Sequence, residues 1–145
     1  KPADPTADTI TLAHAVHRAR LHALGLTDSQ IRQLFVGAVT NWNETAPDNI
    51  ALARQAQGVK LGVRDAGGTP REFTTIASTG IAGIGGFAAD ETGKIPSLLH
   101  GDLIADSVEM TCRFRGYQAV VEIAGSDKVM AGMMMAIARC NLPSL

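Results

Sequence analysis

The stretch Val63-Arg64-Asp65-Ala66-Gly67-Gly68-Thr69-Pro70-Arg71-Glu72-Phe73 decides how the chain is interpreted. We interpret it as the end of a buried strand, a tight glycine turn and the first turn of a helix. Backbone N–H groups at such a helix start have no intrahelical acceptor and, with the helix dipole, attract an oxyanion. Arg64 stands beside the turn as a cation that can bond two anion oxygens at once. The stretch therefore predicts an anion-binding loop.

The same residues fit a second interpretation. Thr69, Pro70 and Glu72 suit the N-cap, N1 and N3 positions of a helix, and together they form a capping box. A Glu72 carboxylate folded back on the cap competes with a bound anion for donors and for positive potential. The residues alone leave open both a capped helix without a ligand and a helix start that binds an anion.

Composition limits the class of protein. The chain has 145 residues, of which 46% are hydrophobic and 19% charged, and this is typical of one globular domain. We expect a frayed segment over residues 1–8 and a single α/β domain over residues 9–145. The net charge of −1 gives no basic surface for nucleic acid. Neither a membrane span nor a signal peptide is apparent.

Upstream of the central stretch, periodicity predicts two strands and one helix. Residues 9–16 alternate and predict a strand, and Val59 to Val63 predicts the strand that enters the glycine turn. Between them, Thr27-Asp28-Ser29-Gln30 is a second capping box. The helix that it opens is predicted to bury Ile31, Leu34 and Phe35 and to end at Gly37.

Downstream, the helix after the turn is predicted to bury Phe73, Ile76 and Ala77. An apolar run over residues 119–124 predicts a buried strand. Gly125 or Ser126 then caps a predicted helix over residues 127–139. Four side chains recur at helical spacing along it and are expected in the core: Met130, Met133, Met134 and Ile137. Strands that alternate with capped helices predict an α/β layer fold.

Histidines and cysteines give weaker signals. Three histidines and two arginines lie close together in the sequence: His14, His17, His22, Arg18 and Arg20. Neighbouring arginines disfavour a divalent cation, so we predict an exposed basic loop and no metal site. Cys112 and Cys140 fit one disulfide in an oxidising compartment as well as two buried thiols.

Two separated segments resemble a known family. The segment from Leu26 to Trp42 resembles the pattern L-T-x-x-Q-hydrophobic-R-x-I-F-x-G-x-I-x-x-W of the phosphate-binding receptors of ABC importers. The segment from Arg64 to Phe73 resembles that family's oxyanion loop, R-x-x-G-S-G-T-x-x-x-F, although the loop here is one residue shorter and lacks the serine. The resemblance is clear over residues 26–75 and weak beyond residue 90.

The resemblance implies a binding site and a fold. Arg64 would pair with the bound oxyanion, Gly67, Gly68 and Thr69 would form the donor turn, and Asp65 would accept a hydrogen bond from a protonated anion. The chain resembles the second lobe alone of a type II periplasmic binding protein. Such a lobe has three layers, with a central mixed sheet flanked by helices.

The resemblance therefore predicts a periplasmic or extracellular solute-binding lobe that captures phosphate or a similar oxyanion without a cofactor. Its expected partners are an ABC permease and a second lobe or a second copy of the chain. An alternative is an interaction or structural module that has lost the ligand. A phosphoester-processing enzyme, with Asp65 or a histidine as general acid or base, is a third hypothesis. A non-catalytic role is the principal expectation.

Overall fold

The structure, a computed structural model, describes residues 12–77 and 94–145. The predicted frayed segment over residues 1–8 therefore lies outside the described residues. The elements are, in order, α1 (Leu12–Ala23), α2 (Asp28–Ile31), β1 (Phe35–Thr40), α3 (Pro47–Ile50), α4 (Leu52–Asp65), β2 (Thr69–Thr74), α5 (Lys94–Arg115), β3 (Ala119–Ile123) and α6 (Asp127–Cys140). No helix in these ranges is long and apolar enough to cross a membrane.

The three strands form a parallel sheet in the order β2-β1-β3. The central strand β1 is a nearly continuous apolar run whose last four residues are buried, as expected for a parallel strand that is covered on both faces. The α/β class is therefore confirmed. The predicted mixed sheet is not found in the described ranges, and the assignment to a periplasmic binding protein lobe is not supported.

Helices cover both faces of the sheet. Val39 of β1 and Val120 of β3 pack in one core cluster with α5 and α6. Ala38, the neighbour of Val39, points to the opposite face because side chains alternate along a strand. From β1 the chain crosses to β2 on one side of the central strand, and from β2 it crosses back over β1 to β3 on the other side. Because such crossovers are right-handed, these opposite directions place α4 and α5 on opposite faces of the sheet.

Helices α5 and α6 pack closely at Gly132. A side-chain carbon at this position would lie 2.9 Å from the Gly101 carbonyl oxygen and 2.9 Å from Ile104 Cβ. Glycine is therefore required by the close approach of the two helices. The predicted methionine stripe is only partly correct, because Met133 is buried whereas Met130 and Met134 are 50% and 62% exposed.

The order of elements around the central stretch is the reverse of the prediction. Residues 59–63 belong to the helix α4, and Thr69–Thr74 is the strand β2. The predicted helix after the turn is therefore wrong. Glu72 is not part of a cap, since its carboxylate pairs with Lys60 of α4. Pro70 is tolerated in β2 because β2 is an edge strand in the described sheet.

Two further predictions upstream are wrong. Leu12–Ala23 is a helix, so the predicted strand over residues 9–16 is not formed in its described part. The helix opened by the Thr27 capping box ends at Ile31, and Gly37 lies within β1, so it does not end a helix. Phe35 starts that strand because pairing with two neighbouring strands outweighs a weak helical pattern.

Other local predictions are confirmed. Both hydrogen bonds of the Thr27 capping box are present. The strand predicted over residues 119–124 is β3, and the helix predicted over residues 127–139 is α6, with Ser126 as its N-cap.

We expect Gly132→Ala to lower the free energy of unfolding by about 1 to 3 kcal/mol, because the new methyl group forces α5 and α6 apart. Gly58→Ala is the matched control. Gly58 lies inside α4 with no atom near the position of an added side-chain carbon, so alanine should raise stability by up to about 1 kcal/mol. Urea unfolding of both variants checks the expectation. Equal effects at the two positions would contradict the tight helix contact.

Candidate functional site

The carboxyl ends of β1 and β3 meet at the point where the sheet topology reverses. The connection after β1 leads to α4 on one face, and the connection after β3 leads to α6 on the other. Ligands of open parallel sheets bind in the crevice at such a switch point. Asn41 follows β1, and Gly125 and Ser126 follow β3. Together with Asn49 of α3, these residues are the edge site.

The Asn41 side chain joins the two connections of the edge site. Its Oδ1 accepts from the Gly125 N–H at 2.9 Å, and its Nδ2 donates to Asn49 Oδ1 at 2.6 Å. Asn49 packs directly on Gly125, where any added side-chain carbon would overlap the Asn49 oxygen. Asn41 and Asn49 are fully buried. The edge site is therefore a rigid polar cluster at the centre of the sheet edge.

Two polar atoms of the edge site are buried without a hydrogen-bond partner in the described part of the chain. They are Nδ2 of Asn49, whose residue is 0% exposed, and Oγ of Ser126. Ser126 is the N-cap of α6, but its hydroxyl makes no capping hydrogen bond. Buried polar groups are normally paired, so these two atoms mark a place where a further group can bind.

His100 of α5 is a further buried polar side chain. Helices α5 and α6 run side by side in the same direction, since Gly101 faces Gly132 and the Cys112 thiol lies beside the Cys140 thiol. His100 therefore lies close to the level of Gly132, about one helical turn beyond the start of α6. It is only 5% exposed, and neither ring nitrogen has a hydrogen-bond partner within residues 12–77 and 94–145. A buried imidazole of this kind can donate or accept a proton.

A different cluster lies deeper, between the sheet and the two helices. Both carboxyl oxygens of Glu122 are buried and unpaired in the described structure. Burial raises the pKa of Glu122 to about 7. Cys112 and Cys140 are buried free thiols, and burial raises the pKa of Cys112 to about 12. The two cysteines are therefore unreactive core side chains, which answers the disulfide question left open by the sequence.

The predicted anion loop lies at the opposite end of the sheet, where α4 ends and β2 begins. Gly67 and Gly68 line a shallow hollow with apolar neighbours, Leu34, Val36, Val63 and Ala66. The structure brings Gly67, Gly68 and Thr69 together, but not with the edge site. Arg64 and Asp65 end α4 and are exposed.

The backbone donors of this loop are already bonded to the protein. The N–H groups of Gly67, Gly68 and Thr69 donate to the carbonyls of Arg64, Val63 and Leu34. The Thr69 hydroxyl lies 2.8 Å from both the Gln30 carbonyl oxygen and Gln33 Oε1, and its single proton is shared between these two acceptors. Ligand binding by these loop residues stays a prediction, and these bonds do not favour it.

The three histidines near the amino end, His14, His17 and His22, lie on the helix α1 and not in a loop. His22 and Arg18 both approach the Asp28 carboxylate, at 3.4 Å and 2.7 Å. Among the described residues, no group of three or more histidine, cysteine, aspartate or glutamate side chains is arranged to hold a metal ion.

Comparison with known proteins identifies a family. The model of the dihydroxy-acid/6-phosphogluconate dehydratase N-terminal family matches residues 33–145. Dihydroxy-acid dehydratase 2 of Bradyrhizobium diazoefficiens is 53% identical over 92% of this chain and 22% of its own length. The dihydroxy-acid dehydratase of Parvibaculum lavamentivorans is 51% identical over 94% of the chain, and that of Pyrococcus furiosus 42% over 92%, each over 23% of the relative. The chain thus spans less than a quarter of these relatives.

These matches correct the sequence-based function. The resemblance to phosphate-binding receptors of ABC importers is wrong, because a different family matches most of the chain. The predicted oxyanion transport, the permease partner and the extracytoplasmic location depended on that resemblance and are wrong for the same reason. The expectation of a non-catalytic protein is also wrong, since the relatives are named as enzymes.

We expect the melting temperature to fall as the pH rises from about 5 to 8, with Glu122 as one cause. The folded protein keeps the Glu122 proton up to a pKa of about 7, whereas the unfolded chain loses it near the ordinary value of 4.5. Protonation therefore favours folding, and this contribution is lost as the pH rises through 7. Glu122→Gln should flatten the slope, and Glu44→Gln, at an exposed position, should not. An unchanged slope in Glu122→Gln would reject the assignment.

Proposed function

The chain belongs to the dihydroxy-acid/6-phosphogluconate dehydratase N-terminal family, and from this we propose that the complete protein removes water from a dihydroxy acid. The observation that carries the proposal is the similarity, over nearly the whole chain, to relatives named dihydroxy-acid dehydratase. Because the chain spans less than a quarter of those relatives, the activity is proposed for the complete protein. The edge site is proposed as this chain's part of the catalytic centre.

The proposed reaction needs three kinds of group. A base takes the proton from the carbon that bears the carboxylate and one hydroxyl. An acid gives a proton to the second hydroxyl as it leaves from the next carbon, and the resulting enol rearranges to a 2-oxo acid. Polar groups must also hold the substrate, the dihydroxy acid, in one orientation. The edge site supports the third requirement, because it is rigid, lies at a switch point and has unpaired polar atoms.

The activity is tested with the complete protein and a series of 2,3-dihydroxy acids, with the 2-oxo acid product measured as its hydrazone. We expect turnover of a 2,3-dihydroxy acid with kcat/KM at least tenfold above that of 6-phosphogluconate. The opposite preference would assign the protein to the second activity in the family's name. Folded protein that forms no 2-oxo acid from either class would overturn the proposal.

We further propose His100 as a proton-transfer group of this reaction. It is buried on α5 about one helical turn beyond the start of α6, and its ring nitrogens are not committed to described protein groups. Imidazole is the most frequent proton carrier in enzymes.

His100→Ala should lower kcat by about 100-fold with a small change in KM, because general acid or base catalysis contributes roughly that much. His22→Ala is the control, since His22 lies on α1 beside Asp28. Circular dichroism verifies that both variants fold. A folded His100→Ala protein with unchanged kcat would remove His100 from the reaction without affecting the dehydratase proposal.

A further inference from the structure

Arg71 of β2 carries a partly buried positive charge that the described residues leave unpaired. Its Nε and Nη2 atoms are buried and have no hydrogen-bond partner. These two atoms lie on one edge of the planar guanidinium group, and their N–H bonds point in the same direction. Such an edge matches the two oxygens of a carboxylate. Because arginine does not lose its proton in proteins, the unpaired edge keeps its need for an acceptor.

The Arg71 side chain points to the face of the sheet that α5 and α6 cover. Side chains alternate along a strand, so Arg71 shares this face with Phe73, which packs against the core cluster. Gly37 of β1 lies opposite Arg71, and a side-chain carbon at Gly37 would lie 2.9 Å from Tyr117 Cδ2. Burial raises the pKa of the Tyr117 phenol, and the Arg115 and Arg71 guanidinium groups oppose that rise. Two cations therefore lie near Tyr117, which directly precedes β3 and is thus at the amino end of the sheet.

Neighbouring carboxylates of the described chain do not pair with Arg71. Glu72 follows it directly but points to the other face of the sheet, where it pairs with Lys60 of α4. Glu122 of β3 lies on the same face as Arg71, yet both of its oxygens are unpaired. The described residues therefore supply no acceptor for the Arg71 edge.

The outer side of α5, on the same face of the sheet, exposes large apolar side chains. Leu103, Met110 and Phe114 are each more than half exposed, and their spacing places them on one side of this helix. Apolar side chains grouped in this way mark a surface that binds another part of a protein. Because the chain spans less than a quarter of the relatives that it matches, the complete protein would supply further segments to cover this surface.

We propose that an acidic segment of the complete polypeptide, outside these 145 residues, covers the outer side of α5 and binds Arg71 through an aspartate or glutamate carboxylate. Charge complementarity selects this occupant, because the Arg71 edge needs an acceptor and Arg115 adds positive potential. A buried edge is reached more readily by a side chain that folds together with it than by an anion from solution. The contact lies at the end of the sheet opposite the edge site and does not depend on the proposed reaction.

Carbodiimide cross-linking of the complete Arg71→Lys protein tests this contact, because the reagent joins an amine to a carboxylate that touches it. Mass spectrometry should find the substituted side chain joined to an aspartate or glutamate outside the 145 residues. Lys60 and Glu72 form an ion pair in the structure, so their cross-linked peptide is the internal control. If the control peptide is present, no cross-link at Arg71→Lys, or one to a carboxylate within the 145 residues, would overturn the proposal.

Isotope labelling separates the same polypeptide from a second copy. The cross-linking is repeated on a mixture of labelled and unlabelled protein. We expect cross-linked peptides whose two halves are both labelled or both unlabelled. Pairs of mixed mass would place the carboxylate on another copy of the chain and would overturn the proposal.

The sign of a stability change gives an independent test. A buried cation without a partner destabilises a folded protein, so Arg71→Met would raise the melting temperature if no carboxylate were bound. With the carboxylate in place, the same substitution leaves a buried anion unpaired, and we expect the melting temperature of the complete protein to fall by about 2 °C or more. Arg115→Met removes an exposed guanidinium near the same tyrosine and should change it by less than about 1 °C. An unchanged or higher melting temperature in Arg71→Met would overturn the proposal.

Discussion

The Asn41 side-chain amide is the interaction on which the carboxyl edge of the sheet depends. It connects Gly125, 84 positions away in the chain, with Asn49 at the start of the next helical segment. Without this amide, a backbone N–H and an asparagine oxygen would be buried unpaired, and each such group costs about 1 to 3 kcal/mol. The bond exists only because β1 and β3 pair in register, with Thr40 opposite Ile123. Fold and site are therefore fixed by the same strand pairing.

Local sequence signals predicted those elements whose pattern is visible within a short stretch of sequence. The capping box at Thr27 and the apolar run before α6 needed no distant partner to be recognised. The reversal around the glycine turn has a physical cause. Leu52, Ala56, Val59 and Val63 follow the helical spacing i, i+4, i+7 and i+11, but glycines inside α4 lower its intrinsic helix propensity and obscure the pattern. The strand β2 is stabilised by pairing with β1, which no local window contains.

The site was missed for the same reason. When the helix α4 is predicted as a strand and the strand β2 as a helix, the glycine turn is interpreted as a helix N-terminus and therefore as an anion loop. In the structure, this turn joins the end of a helix to the start of a strand. Asn41 and Ser126 each look ordinary in the sequence, as polar residues after apolar runs. Recognising β1 as a parallel strand would have placed Asn41 at a carboxyl edge, where ligands of such sheets bind. Its bond to Gly125 could not be predicted without the order of the strands.

The unpaired polar groups of the edge site differ from those of Glu122 in whether they donate or accept hydrogen bonds. At the edge, the unpaired amide of Asn49 is a donor and the Ser126 hydroxyl can donate, beside the positive end of the helix α6. Deeper in the layer, Glu122 has only acceptor oxygens and no described donor, so burial favours its neutral, protonated form. The same layer thus offers hydrogen-bond donors at its edge and a neutral buried acid in its interior.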